Sequence, residues 1–372
     1  MDEMTFDNTV SSGRHYRIQG QDFYVVSRRS PLPAHGETAL IAAGTSVPAD
    51  HRVDWASVWG SVGRVVEVWS GASERCVASI VVDVGESTAL PGYELWRVER
   101  LPALGDRAAN EAALLGLADD ARSSRRALSI AVGLATDDQD ARVGLAEQAH
   151  ALGYRRAPSM RGYGRTLAID LAPDEDELFA GLHASCRRGI RAVAKNPIES
   201  APVTDAGLAP RLRSLHEETM GRTGGDCQSP SWAEIIRYAE AHPEVARLVG
   251  MYETLGDSGT LLAFALGLRQ GDHVEYRLAA SARSGVRAPL GYALGWDLIV
   301  WAKRIGARWF DFGGIPADPV PENLAGIVRF KQSFGGRPID FREEWVIEIR
   351  PVLETIRRGL ARAAKALRGS TG

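Results

Sequence analysis

Apolar residues recur along this chain with two periods, and stretches of one alternate with stretches of the other. In the first third, strand-like runs cover residues 65–69, 77–84 and 93–100. Asp106 then precedes an Ala/Leu-rich helix reaching about Ala121, residues 128–134 read as a strand, and 137–152 as a helix stopped by Gly153. Residues 167–171 predict a further strand. One helix is predicted from Asp174 or Asp176 through Lys195, stopped by Pro197, with others over 208–220 and after Ser231. Residues 245–254, 261–269 and 273–280 predict three antiparallel strands, the last two joined at Gly271-Asp272. Pro289 opens a helix running to Ile305 with Gly306 beyond it, and the strand 308–312 ends at Gly313-Gly314. Residues 1–60, rich in Gly, Pro and turn formers, predict short strands and loops around apolar runs such as 23–26.

This order predicts an α/β (α+β) chain of mixed sheets flanked by helices. The segment 149–155 resembles 302–308, each a helix end leading to a strand. That echo suggests that one strand–helix–strand module occurs twice.

Two helices combine an apolar stripe with basic residues. In 178–195, Leu182, Cys186, Ile190 and Val193 share one side and Arg187, Arg188, Arg191 and Lys195 the other. No acid interrupts the cationic face after Glu177. It reads as a solvated face or as an anion site, where arginine's planar fork suits phosphate or carboxylate. In 352–367, Leu353, Ile356, Leu360 and Leu367 form a stripe, and Arg357, Arg358, Arg362, Lys365 and Arg368 face the single acid Glu354. Such a helix packs its stripe on the domain, or meets anionic lipid or RNA phosphate.

Composition narrows the class. The chain has 372 residues, 45% hydrophobic and 24% charged, which places it among globular proteins with room for more than one domain. A net charge of −3 provides no global attraction for nucleic acid, so any basic surface is local. The three cysteines, Cys76, Cys186 and Cys227, are far apart and form neither a disulfide framework nor a zinc motif. The opening residues lack a basic stretch followed by an apolar one, and no apolar run approaches the roughly 18 residues of a membrane span. A cytoplasmic location is expected. No HExxH (His216 begins His-Glu-Glu-Thr-Met), GxSxG, Walker loop or GxGxxG after a strand appears, so metal hydrolysis and nucleoside triphosphate cleavage lose support. No metal is expected.

The sharpest chemistry lies at 309–315, Trp-Phe-Asp-Phe-Gly-Gly-Ile, followed by 330–336, Phe-Lys-Gln-Ser-Phe-Gly-Gly. Lys331 stands beside apolar anchors, where a lone cation is a candidate for stabilising charge in a transition state. Asp311 either orients an amine or caps the glycine turn.

These segments, together with 166–171, 186–195, 219–222 (Thr-Met-Gly-Arg) and 301–306 (Trp-Ala-Lys-Arg-Ile-Gly), resemble the FemABX family over roughly residues 125–350. The family consists of aminoacyl-tRNA-dependent peptidyltransferases built from two GNAT-like domains. The resemblance implies a first domain over 1–165, completed by 343–372, and a second over 166–342. It implies that an amine attacks the ester of an aminoacyl-tRNA, releasing tRNA and forming an amide. Family acceptors are the stem-peptide lysine of UDP-MurNAc-pentapeptide or lipid II. The absence of a long coiled-coil insertion and the divergent opening segment leave room for a natural-product amine. Lys331 is implied as the oxyanion stabiliser, with Phe330 and Phe334 holding its segment. Arg222 and Tyr276 match acceptor contacts, with Thr219, Arg187, Arg191 and Phe330 joining them as substrate-binding candidates. Aminoacyl-tRNA is then a co-substrate and no cofactor is needed. The loop after residue 280 lacks the Arg/Gln-x-x-Gly-x-Gly/Ala spacing with which acyl-CoA-dependent GNAT enzymes cradle pyrophosphate, although Arg283 and Arg287 offer charge there. An acyl-thioester donor is the alternative, and a non-catalytic protein binding a nucleotide- or lipid-linked glycan is the third reading. Peripheral contact of the C-terminal basic helix with anionic membrane completes the expected partners.

Overall fold

The structure, a computed structural model, describes residues 12–29, 35–59, 62–71, 75–158, 160, 163–223, 230–254, 259–282, 289–316, 320 and 322–369. Cys227 and the loop residues Arg283 and Arg287 lie outside the described residues, as do the side chains of Lys365, Leu367 and Arg368. The chain divides into two compact units, Met1–Arg161 with Phe341–Gly372, and Gly162–Asp340.

Unit 1 opens with β1 (Ser12–Ile18), β2 (Gln21–Arg29), α1 (His35–Ala42), α2 (Val53–Val58), β3 (Val62–Ser70) and β4 (Arg75–Glu86). It continues through β5 (Glu94–Leu101), α3 (Arg107–Ser123), β6 (Ala127–Ala135), α4 (Gln139–Ala151) and β7 (Arg155–Arg156). Unit 2 begins with β8 (Arg165–Asp170), α5 (Glu175–Gly181), α6 (Ala184–Val193), β9 (Ile198–Pro202), α7 (Ala209–Thr223) and α8 (Trp232–Ala241). It ends with β10 (Ala246–Glu253), β11 (Thr260–Gln270), β12 (His273–Ser281), α9 (Leu290–Arg304), β13 (Trp309–Ile315), α10 (Glu322–Gln332) and β14 (Arg337–Asp340). The chain then returns to unit 1 with β15 (Arg342–Glu348) and α11 (Pro351–Gly369).

Each unit holds one mixed sheet. The strand order is β1-β2-β3-β4-β5-β6-β15-β7 in unit 1 and β14-β8-β13-β12-β11-β10-β9 in unit 2. Among the described strands each sheet has one parallel pair, β5–β6 and β12–β13. A parallel pair needs a crossover, supplied here by α3 and α9. The module does occur twice, but the echo in the sequence aligns other elements. It pairs α4 and β7 with α9 and β13, whereas β7 is a two-residue strand antiparallel to β15.

Local chemistry accounts for these crossovers. Asp106 caps α3, its carboxylate accepting from the Ala108 amide at 2.9 Å. The buried small residues Ala108, Ala109, Ala112 and Ala113 let α3 lie close to the sheet. Beside it, Arg64 is buried with Asp120, donating at 2.6 and 2.8 Å, and its guanidinium stacks 5.2 Å from the Trp96 ring. In unit 2 the core joins Leu290, Leu294, Leu298 and Trp301 of α9 to Phe310 and Phe312 of β13 and to Cys186 and Val193 of α6.

Three sequence expectations need correction. Residues 35–58 form the two short helices α1 and α2 as well as loops. Buried Leu40, Trp55 and Val58 hold them in place, so tertiary packing overrides a turn-rich composition. The helix expected from Asp174 to Lys195 is two helices, broken where Leu182 and His183 adopt extended backbone (ψ 150° and 149°). The break sinks Leu182 into the core and is tied by His183 N–H donating to Ser333 O at 3.0 Å. The C-terminal helix turns its acid inward, half-buries Leu353 and leaves Ile356 and Leu360 of the stripe exposed, together with Val352.

A tight spot in unit 1 is testable. A Cβ on Gly133 would lie 2.2 Å from the carbonyl oxygen of Glu99, and backbone cannot swing aside. Gly133→Ala should destabilise the protein by about 1–3 kcal/mol in urea or thermal unfolding. An unchanged midpoint would mean that β5 and β6 approach less closely than this.

Candidate functional site

β12 and β13 are parallel partners for three residue pairs, His273–Trp309, Val274–Phe310 and Glu275–Asp311, and then part. From there Tyr276 continues with β11 opposite Gly267, and Gly314 with β8 opposite Thr166. Both strands are irregular where they part: β12 takes one extra residue against β11 between Tyr276 and Leu278, and β13 bulges against β8. Asp311 faces Ala168 and Gly314 faces Thr166, so one extra residue is accommodated on the β13 side, and Gly313 takes a φ of +75°. The glycine pair is therefore a bulge within a strand that runs on to Ile315, not the end of the strand that the sequence suggests.

Lys331 fills this gap. It sits in the last turn of α10, and its Nζ donates to Gly314 O at 2.8 Å. The same nitrogen is 3.6 Å from where a Cβ on Gly313 would stand. Burial pushes the Lys331 amine below the usual lysine range, and the Asp311 and Glu275 carboxylates pull in the opposite direction. Asp311 is 2% exposed and Glu275 8% exposed, so this charge cluster is largely withdrawn from water.

Asp311 serves the bulge directly. Its Oδ1 accepts from Gly313 N–H at 2.6 Å and from the Thr166 hydroxyl. The capping reading of Asp311 is thus seen in the geometry, and its position beside Lys331 keeps the second reading open to chemistry. Glu275 was not singled out from the sequence. The available signal was a carboxylate within the predicted strand His-Val-Glu-Tyr-Arg-Leu, here held by Arg277 at 3.4 Å.

An aromatic group positions the lysine. Phe330 and Phe334 flank it, with Phe312–Phe334 ring centroids at 4.4 Å, Phe330–Phe334 at 5.2 Å and Tyr292–Phe330 at 5.4 Å. Two glycines of α9, one turn apart, admit these rings. A Cβ on Gly291 would meet Phe330 at 3.2 Å, and one on Gly295 would meet Phe334 at 2.5 Å. After α10, Gly335 and Gly336 take φ of +79° and +83° and turn the chain into β14.

The remaining candidates fall in two places. Tyr276 lines the gap, its ring 5.4 Å from Phe312 and 6.4 Å from Phe330, and burial pushes its phenol up so that it stays protonated. Thr219 and Arg222 stand on α7, which packs against β12, with Thr219 partly buried and Arg222 exposed. Arg187 has a structural occupation: its Nη1 donates to Ala180 O at 2.6 Å and to Leu182 O, binding the carbonyls at the break between α5 and α6. Arg191 is exposed, with its guanidinium 5.3 Å from the Phe179 ring. Burial raises the Cys186 thiol to about 11 and the Cys76 thiol to about 12, which removes thiolate chemistry from both. Among the described residues no group of three or more His, Cys, Asp or Glu is placed to hold a metal ion.

In unit 1 the parallel pair has register breaks between Glu94 and Leu95 and between Val98 and Leu101 but resumes at Leu101–Leu134, and the start of α3 is occupied by the Asp106 carboxylate. No helix among the described residues is long and apolar enough to cross a membrane.

Comparison with known proteins bears on the fold. A family model described as an acetyltransferase (GNAT) domain matches residues 180–331, ending on Lys331. No curated protein sequence matches the chain. Among solved structures, FemX superposes with a TM-score of 0.71 at 15% identity, covering 88% of this chain and 99% of that one. L-PGS from Bacillus licheniformis gives 0.53 at 15% identity, covering 89% and 98%. The C-terminal domain of a putative lysylphosphatidylglycerol synthetase from Agrobacterium fabrum gives 0.53 at 14%, covering 84% and 90%. The chain shares the fold of FemX over most of its length, and its second unit contains the stretch that matches the acetyltransferase (GNAT) domain model.

Proposed function

We propose that this protein is an aminoacyltransferase that carries an aminoacyl group from aminoacyl-tRNA to an amine and forms an amide at the β12–β13 gap. The observation that carries the reading is the Lys331 ammonium, fixed by Gly314 O beside two buried carboxylates where the strands part. An attacking amine adds to the ester carbonyl and drives its electron pair onto oxygen. The Lys331 ammonium faces that developing charge. Collapse breaks the C–O bond to the ribose, and the proton lost by the amine ends on the departing ribose oxygen. Asp311 orients the incoming amine, while Tyr276, Thr219 and Arg222 line the acceptor side. Arg191 offers a guanidinium edge for phosphate. The family resemblance supports a stem-peptide lysine or a natural-product amine as acceptor. The match to an acetyltransferase domain keeps one second reading in view, an acyl-thioester donor.

Charged tRNA mixed with candidate amines should give amide product that disappears when RNase is added first. Product that survives RNase, together with saturable acyl-CoA binding by calorimetry, would transfer the reading to the thioester donor. Lys331→Ala should lower the rate about a hundred- to thousandfold, by analogy with loss of an oxyanion donor, with the fold retained by circular dichroism.

The pH profile has a definite sign. The active lysine is charged, so the rate falls as pH rises through its lowered pKa, before an exposed lysine would titrate. Glu275→Gln removes one upward pull and should move that fall to still lower pH. An unmoved alkaline limb in the variant would uncouple Glu275 from Lys331.

The two arginines of α6 should separate. Arg187→Ala should lower the thermal midpoint with little change in KM, because carbonyls at the helix break lose their donor. Arg191→Ala should raise KM for tRNA more at low salt than at high salt. A KM independent of salt in both proteins would return Arg191 to a solvated helix face.

A further inference from the structure

α11 is mounted with its polar side inward. Glu354 is 5% exposed and accepts from Arg357 at 2.7 and 2.8 Å, and Arg358 reaches Glu348 at 2.7 Å. Outward, at successive i+4 positions, stand Val352 (74% exposed), Ile356 (48%) and Leu360 (48%), with exposed Gly359 and Ala363 completing the stripe. Nineteen residues make this helix about 28 Å long. Arg350 anchors its start, donating to Ala127 O at 2.5 Å and to Ser124 O at 2.8 Å. That clamp sets the exposed Arg125 and Arg126 beside the root of the helix.

We infer that α11 is a docking surface for an anionic lipid bilayer, lying in the interface plane with Val352, Ile356 and Leu360 among the acyl chains. Charge complementarity selects this occupant. Arg357 and Arg358 are engaged inward by Glu354 and Glu348, and the exposed Arg362, with exposed Arg125 near the root of the helix, supplies cations beside the stripe. A second copy of the same stripe would bring two cationic helices within about one Debye length, roughly 10 Å, and repel. RNA phosphate would engage the arginines and leave the apolar stripe in water. A leaflet bearing anionic headgroups takes both, apolar side chains at the acyl boundary and guanidinium groups at the phosphates. The inference is independent of the acyl donor and of the role of Lys331.

The test is flotation of the full chain with vesicles of phosphatidylcholine containing phosphatidylglycerol, beside vesicles of phosphatidylcholine alone. The wild type should float with the anionic vesicles and much less with the neutral ones, and added salt should weaken it. Ile356→Ser with Leu360→Ser should reduce binding about tenfold or more, while thermal unfolding stays put because both side chains are exposed. Arg362→Gln should weaken only the binding to anionic vesicles. Equal flotation of wild type and the serine variant would overturn the proposal. So would absence of flotation, a stripe-dependent dimer in sedimentation, or RNA binding lost with the stripe.

Discussion

A parallel strand pair that stops pairing halfway along sets the rest of this structure. Once β12 and β13 separate after Glu275 and Asp311, each strand must find backbone partners elsewhere, and each does. β13 leans to β8 through a bulge that only a glycine tolerates without strain at φ +75°. The Asp311 carboxylate collects the bulge amide and the Thr166 hydroxyl, so it holds the opening in place from inside. The space between the strands is lined by backbone and by two acids, which makes a single long cation a good filler. Lys331 meets that demand from α10 with a hydrogen bond to Gly314.

The two units show what this opening depends on. Both carry strand, crossover helix and parallel strand, yet in unit 1 the pairing lapses after Val98 and resumes at Leu101–Leu134, with Gly133 set close against the Glu99 carbonyl. Duplicating a module does not duplicate a site. What distinguishes the two parallel pairs is whether pairing resumes beyond the irregularity.

Much of the fold was legible because it rests on local signals. The crossover helices announce themselves through Asp106 and Pro289 at their starts, and Gly271-Asp272 marks the hairpin between β11 and β12. Lys331 was legible too, since a cation between two phenylalanines has few ordinary uses. The misses share one physical origin, in that tertiary contacts decided them. Leu182 is pulled into the core at a helix break that periodicity alone reads as continuous. Arg187 looked available for a ligand because its carbonyl partners lie across that unseen break. Glu275 became part of the cluster only when a strand distant in sequence was laid beside it, and α11 turned over because Glu348 and Glu354 draw Arg358 and Arg357 inward.

The glycine notches at 291 and 295 carry a mechanical consequence. Two rings seat directly on the α9 backbone with no side chain between, so the segment bearing Lys331 is packed hard against α9. A shift of one residue along a helix is about 1.5 Å, comparable to the difference between a formed and a lost hydrogen bond. The position of the ammonium is thus set by where α9 lies as well as by its own hydrogen bond.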